Sequence, residues 1–530
     1  SSATFSEGNL KAVGASASAS GIFTGTFGVS SGKWYWEVRA TGSAQYLNTG
    51  IVRTPFDPTS TGDSGILSNE YVYINNGNKY NNNSSASYGA SYTSGDIIGV
   101  ALDLDADTLT FYKNGSSQGV AYSSLPSGTY LPIFDCYNSS SWILNAGQEG
   151  TFVANETSQG NSDANGIGDF YYSTNGHLAL CSANLPDTTI SPNQDTQADD
   201  HFNTVLWSGN ATARDISVGF EADWVWTKMR SHDNAHYIYD SSRGDNTDIY
   251  SNLTQQESTT SGRLTFGNTD GFSVGTNAQT NGSGYTFVGW CWKANGGTTS
   301  SNTDGTITST VQASTEAGFS IVTYTGTGTA GTIGHSLGKV PDAIFVWNRT
   351  DISEKPMTFP NIIGADKYLY IHATNASASY SGFFNDTNPT TSVFSVGTDN
   401  RTNGSGDSFV AYCFAEIEGY SKFGSYVGNS DSDGSFVFTG FRPAWVMIKS
   451  TSSGSWCIFD NKMNPDNAVN LMLLADSSGN ENAGGTSDNL DFLSNGFKLR
   501  DTSGGRNTSG TTYIYMAFSD GQTAKFSNAR

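Results

Sequence analysis

The sequence predicts an all-β chain made of several sandwich domains, and three observations carry that prediction. Only 14% of the residues are charged while 13% are aromatic, so apolar surface is plentiful and the low charge does not signal disorder. Glycine is abundant, at 61 residues against 12 prolines, which suits short strands joined by tight turns. One turn-and-strand phrase is also written three times, as "NGSGYTFVGWCW" at 281–292, "NGSGDSFVAYCF" at 403–414 and, more faintly, "NTSGTTYIYMAF" at 507–518. At 530 residues the chain exceeds what one ordinary core accommodates, so more than one domain is expected.

The first elements lie outside the repeat. "SGKWYWEVRA" from residue 31, "YVYINNGNKY" from 71, "SGDIIGVALDLDADTLTFYKNG" from 94 and "YLPIFDCYNSSSWILNAGQ" from 130 read as strands and hairpins. In the hairpin Leu102–Gly115, Val100, Leu102 and Leu104 alternate with Ala101, Asp103 and Asp105, which gives one apolar and one polar face. Asp105, Ala106 and Asp107 make its turn, and Asn114-Gly115 makes the next. These elements resemble the SPRY (B30.2-like) family. That resemblance implies a concanavalin-like jelly-roll sandwich over 1–155 that binds partners through loops at one end. Residues 156–200 connect this sandwich to the repeats, ending in a Pro-, Asp- and Gln-rich stretch.

Aligning outward from the repeated phrase gives units of roughly a hundred residues, long enough to hold their own cores, unlike solenoid repeats of about 20–45 residues. Each starts with a strand from Phe202, Phe319 or Phe423, continues through "GFEADWVWTKMRS", "LGKVPDAIFVWNRT" or "GFRPAWVMIKSTS", and in two copies returns through a hairpin ending at Asp240 or Asp460. Three homologous β-domains are therefore expected, at 201–296, 316–420 and 421–530, with a Gly/Thr-rich linker at 297–315 that adds one edge strand. In "WVWTKM", Trp224, Trp226 and Lys228 share one face and Val225, Thr227 and Met229 the other, so neither face is fully polar. "NGSG" reads as a hairpin turn because Asn and Gly tolerate positive φ.

Charge and composition exclude several function classes. A net charge of −22 leaves no basic face for a nucleic-acid backbone or an anionic membrane, and no run of about 18 apolar residues is present, so no membrane insertion is expected. The opening "SSATFSEGNL" lacks a signal-peptide pattern. Cys136, Cys181, Cys291, Cys413 and Cys457 are too few and scattered for a disulfide framework or a thiolate metal site. Cys291 and Cys413 share a repeat position with Ala517 and read as small buried side chains.

The candidate chemistry is sparse. Asp103, Asp105 and Asp107 lack the Gly and distal Glu of a calcium loop, and Asp431–Gly434 likewise reads as an acidic turn. His232 and His236 sit four apart, but counting back from Asp240 and Asp460 sets His236 against Trp456, against a metal site. His177, His201, His335 and His372 are isolated. No Gly-x-Ser-x-Gly elbow lies between a strand and a helix. Glu416 and Glu418 have no counterparts in the other copies, so a paired-carboxylate hydrolase is not expected. The reading is a protein that is not an enzyme, with no cofactor and no metal. Its candidate binding loop is "YNNNSSASYGASY", with Tyr80, Asn81, Asn82, Asn83, Tyr88 and Tyr92, where exposed rings and amides suit a sugar or a protein surface.

From about residue 166 to the end the units are similar to large repetitive proteins of marine tailed phages, on "GFEADWVWTKMRS", "GFSVGT", "NGSGYTFVGWCW" and the closing "YIYMAFSDGQTAKFSNAR". Copy two departs through "DISEKPMTFPNIIGADKYLY". The resemblance implies a structural protein on the virion surface, extracellular, most simply a tail-fibre or spike component. It would touch other virion proteins and a host-surface glycan or protein, and assemble as a homo-oligomer with a trimer favoured. The rivals are a capsid-decorating or head-fibre protein without a receptor role and a secreted enzyme acting on polysaccharide.

Overall fold

The computed structural model describes residues 4–14, 21–42, 47–56, 64–136, 139–185, 190, 194–351, 355–483, 489–502 and 504–521. The chain divides into two compact units, Ser1–Asp187 and Thr188–Arg530, and nearly all regular structure is antiparallel strand. Among the described residues the α-helices are three single turns, Ala278–Asn281, Ser381–Phe384 and Asn400–Asn403, with a few 3-10 turns. The end of the closing phrase, past residue 521, lies outside the described residues.

The amino-terminal unit is a two-sheet jelly roll. One sheet runs Thr4–Ser6, Lys11–Val13, Ser140–Asn145, Lys33–Gly42, Ile97–Asp103, Thr108–Lys113, Ser116–Ser123; the other runs Gly21–Thr24, Tyr130–Cys136, Asn48–Arg53, Glu70–Ile74, Asn78–Asn81, Ser84–Ser87. Strand periodicity places Trp34, Trp36, Val38 and Ala40 inward, against Val100, Leu102, Phe111 and Trp142. The expected hairpin holds its register, with Leu109 opposite Leu102 and Lys113 opposite Ile98.

The opposite face of that sheet is not left to solvent. Ala101, expected on a polar face, packs with Tyr35, Phe170 and Ala179, and Leu178–Ala179 adds a short parallel strand beside Trp34 and Tyr35. The buried Glu37 carboxylate accepts the backbone N–H groups of Tyr171 and Tyr172 at 2.9 and 2.8 Å. The described part of the segment after residue 155, as far as Leu185, is therefore a strap on the sandwich, and the domain end expected at 155 falls inside the unit Ser1–Asp187. An apolar sheet face needs a cover, and the strap supplies it.

In the second unit each repeat is a small sandwich. The main sheets share one strand order: Phe202–Ser208, Thr286–Trp292, Trp224–Met229, His236–Asp240, Thr247–Tyr250 in the first; Phe319–Thr325, Ser408–Phe414, Ala343–Asn348, Met357–Pro360, Lys367–Tyr370 in the second; Ser421–Val427, Thr512–Phe518, Trp445–Ser450, Trp456–Asp460, Leu471–Leu474 in the third. Short outer strands, such as Gly271–Val274, Val393–Val396 and Gly496–Leu499, cover one face and enclose a private core in each repeat. The expected linker contributes two strands, Ser300–Asn302 and Ser309–Ser314, to the edge of the second sheet.

The other faces of the three sheets meet in a common core. Trp224, Trp226 and Trp292 from the first repeat join Phe345, Trp347 and Phe414 from the second, and Trp445, Met447 and Phe518 from the third. This explains strand Trp224–Met229: its tryptophans point to the shared core while Val225 and Met229 point to the private one. The expectation of three self-sufficient domains is thus corrected, because each repeat's inner face is completed only by its sisters. The seams repeat as well. Glu257 N–H donates to the Arg349 carbonyl, Ser377 N–H to Thr451 and Glu481 N–H to Arg230, at 3.0, 2.9 and 2.9 Å, which links first to second, second to third and third to first.

Register refines the repeat alignment. Phe202 and Phe319 pair with Trp292 and Phe414, but the residue facing Phe518 is Ser421, so Phe423 corresponds to Thr204 and Ile321. The Asn of the repeated phrase is not the positive-φ residue; Gly284, Gly406 and Gly510 carry φ of +86°, +82° and +72°. The buried amides Asn281, Asn403 and Asn507 are cross-braces instead. Asn281 donates to Thr212 and Gly275 carbonyls, Asn403 to Thr329 and Gly397, and Asn507 to Asp431 and Asp501, at 2.7–2.9 Å. Each also accepts a loop amide, from Asn210, Thr327 or Asn429.

Candidate binding surface

The candidate loop folds as the hairpin Asn78–Asn81 and Ser84–Ser87, with Asn78 opposite Ser87 and Asn81 opposite Ser84. Asn82 and Asn83 close it at φ +50° and +55°, a conformation asparagine adopts at little cost and two-residue hairpin turns require. The Tyr80 hydroxyl donates to Asn83 Oδ1 at 2.6 Å. Asn81 is a brace, donating to the Ser68 and Glu70 carbonyls.

Three side chains pin this hairpin and the segment after it to the edge strand of the facing sheet. Lys79 Nζ donates to the Ala121 carbonyl at 2.5 Å and stands 5.2 Å from the Tyr122 ring centroid. The Tyr88 hydroxyl donates to the Gly119 carbonyl at 2.5 Å and accepts the Phe111 N–H at 3.2 Å; burial pushes that phenol up to about 12. Gln118 Oε1 accepts the Ala90 N–H at 2.8 Å. The outcome is a rigid rim on which Asn82, Asn83, Ser84–Ser87 and Val120, 56% exposed, face solvent.

Of the six residues expected to form the loop, Tyr80, Asn81, Asn82, Asn83 and Tyr88 lie together on this rim. Tyr92 does not, and the expectation that it is exposed is corrected: it is 3% exposed, and its hydroxyl lies 2.7 and 2.8 Å from the Leu47 and Tyr73 carbonyls. An aromatic that ends a polar loop and starts the next strand belongs to the core. Sequence reasoning missed Val120 and Gln118, which carry no periodic signal; the only hint was a large apolar residue beside the flexible Gly119.

The acidic motifs are spent on turns. Asp103 Oδ1 accepts the N–H groups of Asp105 and Ala106, and its other oxygen pairs with Lys33 at 2.9 Å. Asp433 pairs with Lys498 and Arg500 at 2.7 and 3.2 Å. The two close histidines are separated by burial: His232 is exposed beside Tyr285, while His236 accepts the Trp226 indole N–H at 2.9 Å, and burial holds its ring well below the usual range. Cys291 and Cys413 pair with Val225 and Ile344 as Ala517 pairs with Val446, and burial pushes both thiols up. Among the described residues no group of three or more His, Cys, Asp or Glu could hold a metal ion, and no helix is long and apolar enough to cross a membrane.

The SPRY family model matches residues 33–149, within this jelly roll. A second family model, described as "Domain of unknown function (DUF7483)", matches residues 197–521. It spans more than half of the sequence, and the chain belongs to that family. The curated E3 ubiquitin-protein ligase RKP of Arabidopsis thaliana is 31% identical over 123 residues, which is 22% of this chain and 9% of that protein. Among solved structures, the SPRY domain of human HERC1 is 22% identical with a TM-score of 0.25, covering 27% of this chain and 92% of that one. Stonustoxin is 23% identical with a TM-score of 0.23, covering 27% and 25%. The chain thus spans a small fraction of the curated relative's length.

Proposed function

We propose that this chain is a structural, non-catalytic binding protein on the surface of a tailed-phage particle, most simply a tail-fibre or spike component. The SPRY rim meets a host-surface glycan or protein, and the three-repeat unit connects it to other virion proteins. The observation that carries the binding reading is the pinned hairpin. Tyr88, Lys79 and Gln118 fix its backbone while Asn82 and Val120 face solvent, so little conformational entropy is lost on binding. A homotrimer is the assembly proposed, and sedimentation equilibrium at micromolar concentration checks it.

The test is competition. Purified full chain added before infection should reduce phage adsorption to the host, and the variant Val120→Asp, at a 56% exposed position, should lose that effect while keeping its fold. Undiminished adsorption with wild-type chain in excess would overturn the receptor role.

A further inference from the structure

The second repeat departs from its sisters after its hairpin return, and there it carries a row of aromatic rings. Tyr380 meets Phe383 with centroids 4.7 Å apart, and Tyr368 meets the same ring at 4.6 Å. Tyr370 and His372 extend the row at 5.4 and 5.3 Å. By register Tyr370 stands where the first repeat has Tyr250, while the stretches that follow in the sisters, 251–266 and 475–489, contain Phe266 as their one aromatic. Phe383 is buried, but Tyr380 is 50% exposed. Its ring rests on Gly382, where a β-carbon would come within 2.4 Å of Cε1, so glycine makes room for that placement.

Polar groups of both signs lie on the two sides of this strand pair, and those of Lys367 and Ser379, paired across it, share the side away from Tyr368 and Tyr380. Ser379 Oγ donates to Asp366 at 2.6 Å and accepts from Lys367 Nζ at 2.7 Å, and Lys367 pairs with Asp366 at 3.1 Å. Beyond Phe383 the Arg401 guanidinium lies 5.4 Å from that ring and pairs with Asp399 at 3.3 Å. Lys355 lies at the far end of the row, 5.3 Å from the Tyr370 centroid. On the Tyr380 side Arg401 has its carboxylate in Asp399, whose N–H donates to the Gly382 carbonyl at 3.0 Å, so this pair offers one matched donor and acceptor. An exposed phenol ring beside such a pair fits a pyranose, whose axial C–H face packs on the ring while adjacent hydroxyls bridge a carboxylate and a guanidinium.

We propose that this face of the second repeat binds a neutral hexopyranose unit of a glycan, centred on Tyr380. The site is independent of the SPRY rim, so either can fail without the other. The test is saturation-transfer NMR on the full chain with the methyl glycosides of glucose, galactose and mannose as probes, and methyl glucuronoside as the anionic control. Transfer to ring protons of at least one neutral glycoside is expected. Tyr380→Ala should weaken it by about tenfold or more, Tyr380→Phe should largely retain it, and Asn83→Ala should leave it unchanged. No transfer to any neutral glycoside, preference for the glucuronoside, or binding unaltered by Tyr380→Ala would overturn the proposal.

Discussion

The Asp240 carboxylate of the first repeat accepts a 2.6 Å hydrogen bond from the Tyr412 hydroxyl of the second, and both side chains are fully buried. Arg243 completes the knot, paired with Asp240 and with Glu257 and donating to Tyr412. By register, Asp460 stands in the third repeat where Asp240 stands in the first, and Trp290 stands where Tyr412 stands. Asp460 accepts the Trp290 indole N–H at 3.1 Å, so the same lock joins third to first. At the remaining seam the two positions hold Pro360 and Met516, and the lock is replaced by apolar residues on both sides.

Removing Asp240 should therefore be costly. Asp240→Ala leaves Arg243 buried with Glu257 as its remaining carboxylate, and the expected loss is about 3 kcal/mol of unfolding free energy. Tyr412→Phe should cost about 1–2 kcal/mol. A double-mutant cycle by denaturant unfolding should show coupling between the two; strict additivity would contradict the lock.

The seams should also open unequally. Arg349 pairs with Glu257 at 2.7 Å and Arg230 pairs with Glu481, whereas the second-to-third seam has Thr451 and Ser377 in those places. In native-state hydrogen exchange the Ser377 amide should exchange before those of Glu257 and Glu481, although all three make the same kind of bond.

Each buried amide of the repeated phrase should matter for folding. Asn281→Ala strands two carbonyls and a loop N–H, and about 3 kcal/mol of destabilisation is expected by chemical denaturation. Asn403→Ala and Asn507→Ala should match it within roughly 1 kcal/mol, given the shared geometry.

Glu37 gives the amino-terminal unit a pH signature. Burial pushes its carboxyl up to about 7 from an ordinary 4.5, against the opposing pull of the Tyr171 and Tyr172 N–H groups. The folded state then holds the proton more tightly than the unfolded chain. This contribution to stability is complete below pH 4.5 and is lost as the pH rises through about 7. Glu37→Gln should flatten the dependence between those limits in thermal unfolding followed across pH.

Much of the fold was legible in the sequence because it is periodic. Alternation marked the strands, and the recurrence of "NGSG" marked the repeats and their hydrophobic strands. What local pattern could not show was where the second face of each sheet goes: Trp224 and Trp226 signal burial without naming the partner, and that partner lies in sister repeats more than a hundred residues away. Asn281 looked like a turn former because its sequence neighbours are glycines, whereas its bonds run to carbonyls at Thr212 and Gly275. On the candidate rim, the Asn-rich turn was visible from backbone propensity. Tyr92 was misread because tyrosine suits both a surface and a core, and only the Leu47 and Tyr73 carbonyls decide between them.

The proposed place of the chain on a tailed-phage particle is tested by immunogold electron microscopy of intact phage with antibody against residues 421–530. Gold at the tail is the predicted result for a chain that presents its SPRY rim to the host. Gold spread over the head would contradict it and assign the chain to decoration of the capsid.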